Sequence, residues 1–169
     1  YVVSPLVEED ESLNLTSINL LKEKLSLAFK NLFRIEIIHG KMKTSEKESI
    51  MNDFKNNQIK ILIATTVIEV GIDVSNATMM VIFNAERFGL ATLHQLRGRV
   101  GRSDLQSYCY LISDSDNDRL KVMEESNDGF YISQKDFEMR GHGDLFGVKQ
   151  HGDMSFKLAN LTNDYNFLL

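Results

Sequence analysis

Apolar residues recur along the first two thirds of the chain in two alternating rhythms. Tyr1-Val2-Val3 is a short β-type run stopped by Ser4-Pro5. Leu21, Leu25, Ala28, Phe29 and Leu32 recur at helical spacing and predict an amphipathic helix. Arg34-Ile35-Glu36-Ile37-Ile38 is β-branched and ends at His39-Gly40. Ser45-x-x-Glu48 has the form of a capping box, opening a helix whose inner face carries Ile50, Met51 and Phe54. Lys60 to Ala64 and Met79 to Phe83 are apolar enough for strands buried on both faces. Leu93-His94-Gln95-Leu96 predicts a helix start, and Tyr108 to Ile112 a last strand.

Strands alternating with helices predict crossover units, hence an α/β fold: a parallel sheet with helices on both faces. In open sheets of this kind ligands gather beyond the carboxyl ends of the strands, so the loops after Ile38, Ala64 and Phe83 are candidates. After Ser113 the rhythm changes. Asp114 to Asp118 is a polar turn or a helix start, and Arg119 to Glu124 and Ser133 to Arg140 read as short helices, the second headed by Ser133-x-x-Asp136. A glycine-punctuated stretch, Arg140 to Gly147, follows, and the tail beyond Gly152 has weak periodicity. The division expected is a lobe over 1–114 and a helical extension over 115–169.

Composition adds limits. Of 169 residues, 43% are hydrophobic and 25% charged, as in ordinary globular domains. No apolar run approaches the ~20 residues that span a bilayer. The start at Tyr1 has no basic n-region and reads as a cut inside a longer protein. Cys109 is the single cysteine, so an intrachain disulfide and a cysteine-based zinc cluster are excluded; it reads as a core residue in a reducing cytoplasm. The net charge of −5 argues against a surface wrapped by nucleic acid, yet basic residues concentrate at Lys41–Lys60 and Arg97–Arg102.

The most informative stretch is Gln95-Leu96-Arg97-Gly98-Arg99-Val100-Gly101-Arg102. Guanidinium groups stay charged and present a planar fork of donors that suits phosphate. If helical, Arg99 and Arg102 project from one side. A solvated basic face would be the bland alternative, but glycine inside a helix costs ~1 kcal/mol and needs a reason.

Gln-x-x-Gly-Arg-x-Gly-Arg resembles motif VI of superfamily 2 helicases. Upstream, Ala64-Thr65-Thr66-Val67-Ile68-Glu69-Val70-Gly71-Ile72-Asp73-Val74 resembles motif V, and Ile38-His39-Gly40-Lys41-Met42 resembles the motif IV region. Three motifs in order are far more specific than any one. Phe88 to Arg102 is similar to both the RecG family of branched-DNA helicases and the transcription-repair coupling factors. Ser126-Asn127-Asp128-Gly129-Phe130, Asp136 to Gly141, Gly143 to Gly147 and Gln150 resemble the RecG translocation motif and its approach. The resemblance runs from residue 1 to about 152; one departure is His142, where the family pattern has proline.

This resemblance implies a RecA-like second motor lobe, followed by a small helical hairpin and loop. ATP with Mg2+ would be held mainly by a first RecA-like lobe. Arg99 and Arg102 would reach the phosphates, Arg102 as arginine finger, and Gln95 would position the γ-phosphate or water. Gly71 and Asp73 would lie near the nucleotide. His39, Gly40, Lys41, Thr65 and Thr66 would touch the DNA backbone. Arg140, Gly141 and Gln150 would couple lobe movement to DNA. No metal ligands are expected in this chain. The implied partners are branched DNA and, in the same full-length protein, the first lobe and a DNA-binding wedge domain, with no membrane. Bland alternatives stay open: Asp73 capping a turn, Thr65 and Thr66 satisfying a strand end, His39 as a loop residue. Two other functions do too, the matching lobe of a coupling factor and a non-enzymatic module that keeps the fold. The chain alone is expected to hydrolyse no ATP, since it contains no phosphate loop: Gly40-Lys41 is followed by Met42.

Overall fold

The computed structural model describes residues 1–5, 17–30, 32–65 and 74–140. Five strands form one sheet: β1 (Val2–Val3), β2 (Ile35–Ile38), β3 (Ile61–Ala64), β4 (Met79–Ile82) and β5 (Tyr108–Leu111). Their spatial order is β2-β3-β1-β4-β5 and every pairing is parallel. The helices are α1 (Ile18–Ala28), α2 (Thr44–Lys55), α3 (Leu90–Arg97), α4 (Asp118–Glu125) and α5 (Gly129–Arg140). The predicted class, an α/β parallel sheet with helices on both faces, is what forms.

Each face carries its own core. On one, Val3, Ile38, Leu62, Ala64, Met80 and Ile82 meet Met51 and Phe54 of α2, Leu90, Leu93 and Leu96 of α3, and Val122, Met123 and Ile132 of α4 and α5. On the other, Ile18 and Leu21 of α1 close over Val2, Ile35 and Ile63. Each such large side chain removed from water contributes roughly 1.5–3 kcal/mol.

Several local expectations are corrected. The α1 stripe ends early: Phe29 is the C-cap, Lys30 takes a left-handed φ of 49°, and Leu32 stands 74% exposed beyond the helix. The Ser45 capping box does not form, because α2 already begins at Thr44 behind Lys43, which makes no side-chain cap bond. The helix α5 begins at Gly129 and not at Ser133; Asp128 Oδ1 accepts the Phe130 amide at 2.9 Å and so caps the start. Asn117 caps α4 in the same way, accepting the Arg119 amide at 2.9 Å. Among the described residues no helix is long and apolar enough to cross a membrane.

Candidate functional site

The structure gives the three arginines of the run different surroundings: Arg97 bonds back to α4, Arg99 is half-buried and Arg102 is exposed. Leu90, Leu93 and Leu96 pin one face of α3 to the core and leave Gln95 exposed on the other. The helix then stops at Arg97. Gly98 is its C-cap, and turns run from Leu96 O to Arg99 N and from Arg97 O to Val100 N. Contrary to the expectation from their spacing, Arg99 and Arg102 do not share a helical face; both belong to the turn beyond α3. Of the two glycines, Gly101 is the one with a positive φ, 76°, a conformation that favours glycine.

Arg97 turns back into the molecule. Its Nη1 donates to Met123 O at 2.8 Å and Ser126 O at 2.9 Å, and Nη2 lies 3.3 Å from His94 Nδ1. These carbonyls belong to the end of α4, where the helix dipole favours a cation. Burial pulls the Arg97 pKa down, and raises that of the neighbouring Cys109 thiol. Cys109 packs against the larger core, as a structural cysteine would. The Arg99 side chain is half-buried and makes no hydrogen bond or ion pair with the described residues. Arg102 is exposed and donates from Nε to Gly98 O at 2.9 Å.

Arg99 and Arg102 are not at the carboxyl edge of the sheet. A Cβ on Gly101 would lie 3.7 Å from Ser107, the residue before β5 begins, and Tyr108 pairs with Met79, the first residue of β4. The reason is topological. As the crossover from β4 to parallel β5, α3 must run back along the sheet, and eight helical residues at ~1.5 Å each match a four-residue strand. It thus delivers its C-terminal residues to the amino edge.

The carboxyl edge holds a second group. His39, Gly40 and Lys41 follow β2, and Thr65 follows β3, its lateral neighbour; Thr65 N donates to Ile38 O at 3.4 Å. The turn is tight, with His39 N on Met42 Sδ at 3.4 Å and Met42 N on His39 O at 3.2 Å. Gly40 and Lys41 are exposed, whereas Thr65 is buried, and His39 Nδ1 is buried without a hydrogen-bond partner. Thr66, Gly71, Asp73, Gly141 and Gln150 lie outside the described residues.

Arg140 is tied to the opposite end of α3. A Cβ on Gly89, the N-cap of α3, would lie 3.5 Å from Arg140 Nη2, while one on Gly129 would lie 3.0 Å from His94 Nε2. The helices α3 and α5 therefore run side by side in opposite directions. Asp136 Oδ2 holds the same Arg140 nitrogen at 2.9 Å. Arg119 of α4 adds bonds to Glu86 O at 3.1 Å and Phe88 O at 3.4 Å, just before α3. Gly89, Asp118, Arg119, Asp136 and Arg140 line an open cleft of about 650 Å³. Sequence reasoning assigned no role to Arg97, Arg119, His94 or Gly89. Arg97 meets Met123 and Ser126 across 26 and 29 residues, a separation that leaves no local signal.

The guanidiniums of Arg99 and Arg102 suit phosphate oxygens. Among the described residues, however, no group of three or more His, Cys, Asp or Glu side chains could hold a metal ion.

Residues 9–104 match the model of the helicase conserved C-terminal domain. The chain is 47% identical over 172 residues to the ATP-dependent DNA helicase RecG of Streptococcus pneumoniae, covering 99% of this chain and 26% of that protein. Identity to RecG of Staphylococcus aureus is 48% over 173 residues, again 99% of this chain and 25% of the relative. A solved structure of RecG bound to a three-way DNA junction superposes with a TM-score of 0.65 at 39% identity, covering 99% of this chain and 22% of that one. The second domain of the Mss116p DEAD-box helicase, bound to an RNA duplex, gives a TM-score of 0.58 at 24% identity over 75% of this chain and 47% of that one, a likeness of fold. The chain spans about a quarter of the length of the curated relatives it matches.

Proposed function

Because the chain belongs to the helicase conserved C-terminal domain family, we propose that it is the second motor lobe of a RecG-type, ATP-dependent DNA helicase that remodels branched DNA. The observation that carries this reading is the layout of the arginine run: Arg97 bonds back to Met123 O and Ser126 O, and half-buried Arg99 and exposed Arg102 sit on the turn that follows α3. A first lobe facing that turn supplies the phosphate loop and the Mg2+ ligands, and Arg102 acts as arginine finger with Arg99 beside it. Charge grows on the γ-phosphoryl oxygens during transfer, and a preplaced cation stabilises that state more than the ground state. Gln95, exposed one turn earlier on α3, positions the γ-phosphate or the water. Gly71 and Asp73 complete the nucleotide side.

DNA lies along the other edge. Exposed Gly40 and Lys41, with His39, Thr65 and Thr66, grip its phosphates without reading sequence. Arg140 and, beyond it, Gly141 and Gln150 pass movement between the two edges, because α3 carries the nucleotide group at one end and Arg140 at the other. The working compartment is the cytoplasm, and the remaining partners are the first lobe and wedge domain of the full-length protein. The similarity to RecG extends over 126–150 as well as the motor motifs, which favours this family over the coupling factors.

The test is Arg102→Ala in the full-length protein, with DNA-stimulated ATP hydrolysis as readout. The expected loss is on the order of 10³-fold or more. An unchanged rate overturns the reading in favour of a non-enzymatic module.

A further inference from the structure

Exposed apolar side chains gather at one edge of the sheet. Leu32 stands exposed just before β2, Met79 at the start of β4, Tyr108 at the start of β5, and Leu105 between Arg102 and β5. All belong to the amino edge, which also carries the turn with Arg99 and Arg102. Phe130, at 90%, is the most exposed large apolar side chain among the described residues, and it reaches the same edge on another element. It is the second residue of α5, and α5 runs antiparallel to α3, so its first turn lies beside the last turn of α3.

The backbone under Phe130 is fixed at three points. Asp128 Oδ1 accepts its amide at 2.9 Å, and the Asp128 amide donates to Ser126 Oγ at 3.0 Å. Ser126 O accepts Arg97 Nη1 at 2.9 Å, and Gly129 lies against the His94 ring. Nearby on α5, Ile132 is buried and the Tyr131 hydroxyl donates to Glu125 Oε2 at 3.0 Å. The main chain of Phe130 is therefore held to the end of α3, while its ring belongs to neither core cluster. Leaving so large a ring in water forgoes the gain from its burial. A ring on a fixed backbone also loses little further freedom on docking, and aromatic anchors of this kind dominate interfaces.

Charge selects the partner. Asp128 bonds the Phe130 amide and Glu125 the hydroxyl of the next residue, so the start of α5 is acidic. These carboxylates oppose the phosphates of a nucleotide or a DNA strand. They favour a protein surface that is apolar where the ring enters and basic at its rim.

We propose that Phe130 is an anchor between the motor lobes: as the cleft closes on nucleotide, its ring enters an apolar, basic-rimmed pocket on the first lobe. Leu105, three residues past Arg102, packs on the same lobe. The proposal rests on the reading of the chain as a second motor lobe. Docking then positions the turn with Arg99 and Arg102 through the hydrogen-bonded path from Phe130 to Asp128, Ser126 and Arg97.

The test uses the full-length protein. With p-benzoyl-phenylalanine in place of Phe130, irradiation with a non-hydrolysable ATP analogue is expected to cross-link to first-lobe peptides, several-fold more than without nucleotide. Cross-links confined to residues 141–169, to DNA or to a second copy overturn the proposal. Phe130→Ala is expected to lower kcat for DNA-stimulated ATP hydrolysis about tenfold at an unchanged melting temperature. Phe130→Leu should recover most of that loss and Phe130→Gln should not. An unchanged kcat in Phe130→Ala overturns the proposal, as does a change confined to the KM for ATP, which assigns the ring to the nucleotide. A melting temperature that falls in step with the rate marks a structural role and overturns it too. Each of these failures leaves the helicase reading standing as long as Arg102→Ala abolishes hydrolysis; only an active Arg102→Ala protein removes the reading itself.

Discussion

Arg97 Nη1 lies 2.8 Å from the carbonyl oxygen of Met123 and so fixes the end of α3 to the end of α4. The bond is charge-assisted on the donor side and answered by carbonyl dipoles, Ser126 O at 2.9 Å being the second. The first arginine of the run thus holds the start of the turn that carries the other two. Arg97→Met keeps most of the stem and removes these bonds. A stability loss of about 2 kcal/mol is expected in urea denaturation. Arg99→Ala is expected to change stability by less than about 0.5 kcal/mol, because its side chain has no polar partner among the described residues.

The same contrast separates structure from catalysis. In the full-length protein Arg99→Ala is expected to lower kcat for DNA-stimulated ATP hydrolysis while leaving thermal unfolding unchanged. Arg97→Met is expected to lower the unfolding temperature as well. Parallel melting curves and steady-state rates check the distinction; a destabilised Arg99→Ala protein contradicts the assignment.

Gly101 is required for its backbone and not for space. The nearest atom to an added Cβ is Ser107 Cβ at an ordinary 3.7 Å, but φ is 76°. Gly101→Ala should therefore cost roughly 1–2 kcal/mol. The strain falls between Arg99 and Arg102, so the ATPase rate should drop more than stability alone accounts for. Denaturation midpoints and rates measured on the same preparation check this.

Gly129 is required for space. A Cβ there would come within 3.0 Å of His94 Nε2, and the ring cannot swing freely because Nδ1 lies 3.3 Å from Arg97 Nη2. Gly129→Ala is expected to cost about 1 kcal/mol or more by pushing α5 from α3. In the His94→Ala background the same substitution should cost much less, and a double-mutant cycle measures the difference. Identical costs in both backgrounds would show that the two helices do not meet at this point.

Acid sensitivity should be visible at the other edge of the sheet. Burial alone would raise the Glu36 carboxyl, but bonds from Lys22 Nζ at 3.0 Å and Arg34 Nε at 3.1 Å outweigh it and hold its pKa below the ordinary 4.5. A carboxyl depressed on folding adds stability above its unfolded pKa, and this is lost as pH falls through the lower folded value. Glu36→Gln should thus flatten the decline in stability below about pH 4.5 and weaken the fold slightly at neutral pH. Denaturation curves across that range give the answer.

What the sequence determined by itself is the set of elements and their class. β-branched runs such as Ile35–Ile38 and Ile61–Ala64 had no alternative home but a buried parallel strand, and the spacing of Met51 and Phe54 sufficed for a helix. The motif order placed the chain among helicase lobes, and the arginine run marked the residues to watch. Helix ends were legible only in part, since Ser45 and Ser133 sit where a cap looks right yet tertiary packing carries the helix past them.

Only the tertiary structure decided which arginine faces inward, and at which edge of the sheet the others stand. Arg97, Arg99 and Arg102 are alike in a one-dimensional reading. Their fates diverge because α4 brings two carbonyls to one of them, and because a parallel crossover must return its helix to the amino edge. Contacts spanning 26 or more residues depend on how whole elements dock, and no local pattern of side chains encodes that.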